Sequence, residues 1–192
     1  MDIKLSDITQ RRAEMLGEVG QAWVKALPDK VRQALADYGL TFVDSLPGGS
    51  ASYLAIVTDG SGAERILKVV MPTDLDVTAE IAGLQAAKGR GYVGVFATDA
   101  AKGIAVMERL GSPIADSGLA IQTQIERVTA ALQESWQADT ATQGLVCGEG
   151  KADWLENHIR HTPAKIGARF NTRMMHLAVD HIDVRRGTWC KQ

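Results

Sequence analysis

A single lysine, Lys68, interrupts the apolar run Ile66-Leu67-Lys68-Val69-Val70. An ammonium group inside a strand-forming run is costly to bury unless something anionic holds it, so this segment has to fold against a partner that offsets the charge. Upstream lies the small-residue stretch Gly48-Gly49-Ser50-Ala51, and downstream Glu80 falls in a segment with helical periodicity. Tyr53 to Thr58 and Arg65 to Met71 flank Asp59-Gly60-Ser61-Gly62, a turn sequence that predicts a β-hairpin with the glycines at its mouth.

The remaining patterns surround this hairpin. Near the N-terminus Trp23 and Leu27 mark one helix, and Pro28-Asp29 is expected to restart another carrying Val31, Leu35 and Tyr38 before Gly39 closes it. Leu40 to Leu46 reads as a strand. Pro72 ends the lysine strand, and Thr73 or Asp74 is expected to cap a helix with Val77, Ile81 and Leu84 on one face and Glu80 at its border. Gly89-Arg90-Gly91 breaks that helix, and Tyr92 to Thr98 and Gly103 to Leu110 read as two further strands across a turn at Asp99 to Lys102. Past Gly111-Ser112-Pro113 the pattern is helical only. Ile121, Ile125, Val128, Leu132 and Trp136 form one stripe behind the expected cap Ser117. Trp154, Leu155 and Ile159 start a second before Thr162-Pro163, and Ile166, Phe170, Met174 and Leu177 a third. The expected fold is α+β: N-terminal helices and an antiparallel sheet of about five strands with one inserted helix over 1–110, then a partial, incomplete all-helical lobe over 111–192.

Composition narrows the classes of function. The chain has 192 residues, a net charge of -2 and 45% hydrophobic residues, which fits a folded protein without the basic footprint of a nucleic-acid binder. No stretch approaches the ~18 apolar residues of a membrane span, and Met1 to Gln10 lacks an apolar signal core, so no membrane partner and a cytoplasmic location are expected. Cys147 and Cys190 are expected as unpaired thiols, and His158 and His161 with Cys147 supply too few ligands for a closed zinc site. Neither a Gly-x-Ser-x-Gly elbow nor a Gly-Lys-Ser/Thr phosphate loop occurs.

Phosphoryl transfer needs a nucleotide held, its charge offset and an acceptor hydroxyl placed in line. Gly48, Gly49, Ser50 and Ala51 lack bulk that would keep backbone N–H groups from phosphate oxygens. Lys68 suits the α and β phosphates, Glu80 suits an ion pair that orients it, and Met107-Glu108-Arg109-Leu110 has the character of a strand-end hinge whose main chain meets an adenine edge. Singly, each has a plain structural reading as a turn, a solvated lysine or a surface carboxylate. Their order along the chain is the informative property.

The stretch GGSASYLAIVTDGSGAERILKVVMP, followed by EIAGLQAAKGRGYVGVFATDAAKGIAVMERLGSPIA, resembles the N-terminal lobe of the aminoglycoside/hydroxyurea antibiotic resistance kinases. That group includes streptomycin kinases and belongs to the aminoglycoside phosphotransferase, protein-kinase-like fold. The resemblance runs from about Leu46 to Ala115, with a fainter echo at Lys151-Ala152-Asp153-Trp154-Leu155. It implies an ATP- and Mg-dependent phosphotransferase acting on a hydroxyl of an aminoglycoside-type antibiotic. Lys68 would lie on the phosphates with Glu80 as its partner, and Met107, Glu108 and Leu110 at the adenine.

The family's His-Gly-Asp-x-His-x-x-x-Asn loop and its later metal-binding aspartate do not occur here. The nearest lookalike, His176-Leu177-Ala178-Val179-Asp180-His181-Ile182-Asp183, lacks the glycine and the asparagine and sits in helix-periodic sequence. No catalytic residue and no metal ligand is therefore assigned, and the alternative expectation is a pseudokinase or truncated remnant that binds nucleotide or a partner. The tail Arg185 to Gln192 breaks the helical pattern as a frameshift or premature stop would. Trp136 and Trp154 are expected to pack the helical domain, Asp153 and Glu156 are candidates for a polycationic substrate, and uncovered apolar helix faces predict self-association.

Overall fold

The computed structural model describes residues 1–72, 77–137, 148–166 and 171–186. The expected cap at Thr73 or Asp74, the thiols Cys147 and Cys190, Phe170 and the tail from Gly187 onward lie outside the described residues, as do the side chains of Val77 and Ile166. The architecture is α+β, with six α-helices and one five-stranded antiparallel sheet among the described residues. Two compact units divide the chain, Met1–Gln143 and Gly144–Gln192.

In the first unit two helices precede the sheet. Helix α1 (Asp7–Met15) starts at Ser6, whose hydroxyl accepts the Thr9 N–H, and ends at Gly17, whose φ of 59° turns the chain. Helix α2 (Glu18–Tyr38) stops at Gly39, which adopts a left-handed conformation. The expected restart at Pro28 does not occur: α2 runs through the proline as one helix. Proline removes a backbone donor and costs about 3 kcal/mol in a helix interior. Trp23, Leu27, Val31 and Ala34 nevertheless continue one buried stripe past it. Each large apolar side chain fully buried is worth about 1.5–3 kcal/mol, so the stripe outweighs the proline.

The strands β1 (Thr41–Leu46), β2 (Ser52–Thr58), β3 (Glu64–Val70), β4 (Val95–Asp99) and β5 (Ile104–Glu108) form a sheet in the order β1-β2-β3-β5-β4, every pair antiparallel. Asp59 builds the β2–β3 turn: its carboxylate accepts the N–H groups of Ser61 (2.9 Å) and Ala63 (3.1 Å). Strand alternation then sorts the sheet into two faces. Tyr53, Ala55, Val57, Leu67, Val69 and Val106 form the main core with the α2 stripe and Ala13 of α1. Trp23 fastens α2 to the sheet by donating its indole N–H to the Val70 carbonyl at 3.0 Å. The opposite face carries Ile66, Ala105 and Met107 with Leu54, Ile56 and Leu84, and it is only partly covered.

After β3, helix α3 (Val77–Ala87) leads into β4, and beyond β5 a 3-10 turn at Ile114–Asp116 precedes helix α4 (Ile121–Ser135). Ser117 does not cap α4 as expected. It closes the 3-10 turn, donating its hydroxyl to the Ile114 carbonyl at 2.5 Å, and α4 starts behind Ala120 without a side-chain cap. The α4 stripe is largely exposed, with Ile121 at 73% and Trp136 at 75%, so the packing expected of Trp136 is not seen.

The second unit pairs α5 (Gly148–Ile166) with α6 (Thr172–Arg186) through buried Ala152, Val179 and Ile182. Helix α5 continues past Thr162-Pro163, so Ile166 belongs to it rather than to a third stripe. Helix α6 begins only at Thr172 because the Asn171 carboxamide accepts the N–H groups of Arg173 (3.0 Å) and Met174 (3.2 Å). No described helix is long and apolar enough to cross a membrane.

Two outcomes test this packing. A Cβ on Gly20 would sit 2.0 Å from the Ala13 carbonyl oxygen, so α1 and α2 touch backbone to backbone. Helix propensity alone would favour alanine there by up to about 1 kcal/mol. Overpacking should win, and Gly20→Ala should lower the urea midpoint by the equivalent of about 1–3 kcal/mol; an unchanged or raised midpoint contradicts the contact. Burial raises the Tyr53 phenol above its ordinary value of 10.0, with the Ser45 hydrogen bond pulling the other way. Tyr38 is raised likewise by burial. A raised phenol stabilises the fold fully below pH 10 and loses that contribution as pH rises above it, because the unfolded chain ionises first. Thermal melting should therefore fall at alkaline pH, less steeply in Tyr53→Phe.

Candidate functional site

Lys68 occupies β3, a central strand, opposite Leu54 of β2 and Ala105 of β5. Alternation directs Leu67 and Val69 into the main core and leaves Lys68 on the partly covered face with Ile66. Its side chain is 17% exposed, too enclosed for an unpaired ammonium. Helix α3 answers this need: Ile81, Ala86 and Ala87 are buried, and the Glu80 carboxylate accepts the Lys68 ammonium hydrogen bond as an ion pair. Glu80 itself stays half exposed, at 47%, so the pair is open to a ligand from one side.

The stretch Gly48 to Ala51 is the β1–β2 connection. Gly48 and Gly49 have φ of 147° and 73°, conformations that side-chain-bearing residues resist, and a Cβ on Gly49 would meet the Ser52 carbonyl oxygen at 2.9 Å. Gly48, Gly49 and Ser50 are exposed, while the Ala51 carbonyl is held by the Met71 N–H at 2.9 Å. Ser52 lies opposite Val70, two residues along β3 from Lys68, so the turn sits at the lysine's end of the hairpin.

Met107 lies opposite Ile66, two residues from Lys68 in the other direction, roughly 7 Å along the strand. The segment through Leu110 therefore begins beyond the lysine, away from the glycine turn. Glu108 is partly committed to structure: its N–H donates to the Gly94 carbonyl at 2.8 Å and its carboxylate accepts the Gly94 N–H at 3.0 Å. The Arg109 guanidinium pairs with Glu64, and Leu110 is exposed. Main-chain groups available at this edge thus lie after the Glu108 N–H.

Sequence reasoning passed over Thr9. Its side chain is buried, and its hydroxyl donates to the Gly49 carbonyl at 3.0 Å. The Ser6-x-x-Thr9 pattern signals a helix start but says nothing of a residue forty positions away.

In the second unit the His176 to Asp183 segment is part of α6, with His176, Asp180, His181 and Asp183 exposed. Asp153 and Glu156 are both engaged by the Arg186 guanidinium, the latter at 2.6 Å, and Glu156 also by Arg160 at 2.8 Å, so their charge is partly offset within the unit. Trp154 faces the Lys151 ammonium at 3.8 Å and stacks on His158 rather than being enclosed. No group of three or more His, Cys, Asp or Glu among the described residues is placed to hold a metal ion.

No protein-family profile matches the chain. Among curated proteins it is similar to the streptomycin 6-kinase of Streptomyces glaucescens, with 34% identity over 98 residues covering 51% of this chain and 32% of that protein. It is 32% identical to the streptomycin 6-kinase of Streptomyces griseus over 153 residues, which cover 80% of this chain and 42% of the relative. The hydroxyurea phosphotransferase of Kitasatospora aureofaciens matches at 30% over 111 residues, 58% of this chain and 31% of that protein. The chain thus spans well under half the length of the relatives it matches. Its similarity to all three makes it a relative of the streptomycin kinase-like aminoglycoside phosphotransferase family.

Proposed function

We propose that this chain holds a nucleoside triphosphate and represents the nucleotide-binding part of an ATP-dependent phosphotransferase of the streptomycin and hydroxyurea resistance type, directed at an antibiotic hydroxyl. The observation that carries this reading is the Lys68–Glu80 ion pair on the open face of the sheet, at the end of the hairpin that carries the glycine turn. A glutamate that fixes the ammonium without enclosing it leaves donor hydrogens aimed at phosphate oxygens. The positive-φ glycines expose main chain where phosphates approach, and the apolar surface of Leu54, Ile56 and Met107 suits a purine ring. Arg109 and Leu110 follow at the edge where an adenine would meet main-chain groups. The order glycine turn, lysine strand, glutamate helix and paired strands supports a protein-kinase-like lobe over 1–110, followed by a helical part over 111–192.

The reaction would transfer the γ-phosphoryl group of ATP to the hydroxyl oxygen, leaving ADP and releasing the hydroxyl proton. The chain's own contribution is binding and charge compensation. Magnesium would arrive on the phosphates of the nucleotide. A second reading, nucleotide binding without transfer, is supported by the helical placement of His176 to Asp183, which puts Asp180 on a regular helix rather than on an irregular catalytic loop.

Isothermal titration of the chain with Mg-ATP tests the nucleotide role. Lys68→Met should weaken binding about 10- to 100-fold, the value of a hydrogen bond to a charged group, and Glu80→Gln should weaken it less. Equal affinity in Lys68→Met and the parent chain would remove the phosphate role. Incubation with streptomycin and labelled ATP then separates the two readings: a phosphorylated drug supports transfer, and tight binding without product supports the non-catalytic one.

A further inference from the structure

Among the described residues the buried polar side chains are Thr9, 1% exposed, and Ser52, 5% exposed, and both lie against the glycine turn. Buried polar groups are the informative exceptions to the usual sorting of residues, because each must be hydrogen-bonded to be tolerated. Thr9 Oγ1 lies 3.0 Å from the Gly49 carbonyl oxygen, 3.5 Å from the Ser52 carbonyl oxygen and 2.9 Å from Ser6 Oγ. A hydroxyl has one hydrogen. With that hydrogen donated to Gly49, the contact with Ser6 requires the Ser6 hydroxyl to donate to Thr9, while Ser6 Oγ also accepts the Thr9 N–H at 3.2 Å. The helix start is thus a short chain of directed hydrogen bonds ending on the turn.

Helix α1 is itself rigidly seated. Its Ala13 touches the backbone at Gly20 of α2, and α2 is fixed to the end of β3 by Trp23 and by the buried stripe. The turn is therefore braced from behind by a strut that begins in the main core. Its other side, at Gly48, Gly49 and Ser50, is exposed. A glycine turn unsupported by side chains of its own is free to sample many conformations, and ordering it on ligand binding would cost affinity.

We propose that Thr9 is a positioning residue for the Gly48 to Ala51 turn, so that helix α1 presets the phosphate-facing backbone before nucleotide arrives. This deepens the nucleotide reading of the same site and rests on it. Thr9 touches no ligand; it acts through the Gly49 carbonyl.

The test uses the whole 192-residue chain with Thr9→Val, which keeps the shape and removes the donor, and Thr9→Ser, which keeps the donor. Amide exchange at Met71, whose N–H binds the Ala51 carbonyl, reports on the docked turn without nucleotide. Thr9→Val should speed that exchange about tenfold while the Leu67 and Val69 amides keep their rates. It should also weaken Mg-ATP binding about five- to tenfold, the equivalent of one hydrogen bond, and Thr9→Ser should restore both. Should Thr9→Val not fold, Ser6→Ala removes the hydroxyl that directs Thr9 and carries the same prediction in smaller measure. Unchanged Met71 exchange, or unchanged Mg-ATP affinity in a folded variant while Lys68→Met still weakens binding, overturns the positioning role alone. A parent chain that binds no Mg-ATP overturns both it and the nucleotide reading.

Discussion

An ammonium group on the face of a central strand organises the first unit. Because side chains alternate along β3, one residue's difference in register would send Lys68 into the main core and Leu67 and Val69 out of it. The observed register keeps Leu67 and Val69 fully buried and leaves the lysine on a half-covered surface. That surface cannot be closed by another apolar layer without stranding the charge. Helix α3 settles the matter by packing Leu84 against this face and offering Glu80 at its edge. The sheet thus has one sealed face and one open face, and every candidate contact to a nucleotide lies on the open one or at its ends.

The sealed face does more than stabilise. Val70, the last residue of the lysine strand, accepts the Trp23 indole hydrogen through its carbonyl and donates its own N–H to the Gly103 carbonyl at 2.8 Å. Met71 beyond it holds Ala51. The end of β3, the helices behind it and the glycine turn are consequently joined by hydrogen bonds to main-chain carbonyls, which are directional in a way that apolar packing is not. Whatever order the glycine turn has comes from this framework, since glycine residues contribute none of their own.

Much of this was legible from residues alone, and for definable reasons. The hairpin announced itself through Asp59-Gly60-Ser61-Gly62, where local hydrogen bonds decide the turn. That Lys68 needs an anion followed from the cost of a lysine within an apolar run, and Glu80 at the border of the next helix was the candidate that the structure pairs with it. Pro28 misled because helix propensity is a local quantity and the stripe from Trp23 to Ala34 is not. Ser117 misled for a related reason: α4 starts only behind Ala120, and the Ser117 hydroxyl is used before it, donating to the Ile114 carbonyl and accepting the Leu119 N–H. Asp153 and Glu156 looked like an open acidic pair, yet Arg186, distant in sequence, occupies both.

By itself the sequence determined the elements and their order, because turn chemistry, strand alternation and helical periodicity act over a few residues. It also determined that Lys68 needed an anion. Only the tertiary structure decided which groups answer distant needs: that Thr9 bonds Gly49 across forty positions, that Glu108 spends its N–H on Gly94, and that Arg186 takes Asp153 and Glu156 of α5. Hydrogen bonds between remote residues depend on where the backbone carries each donor, and no local pattern encodes that distance.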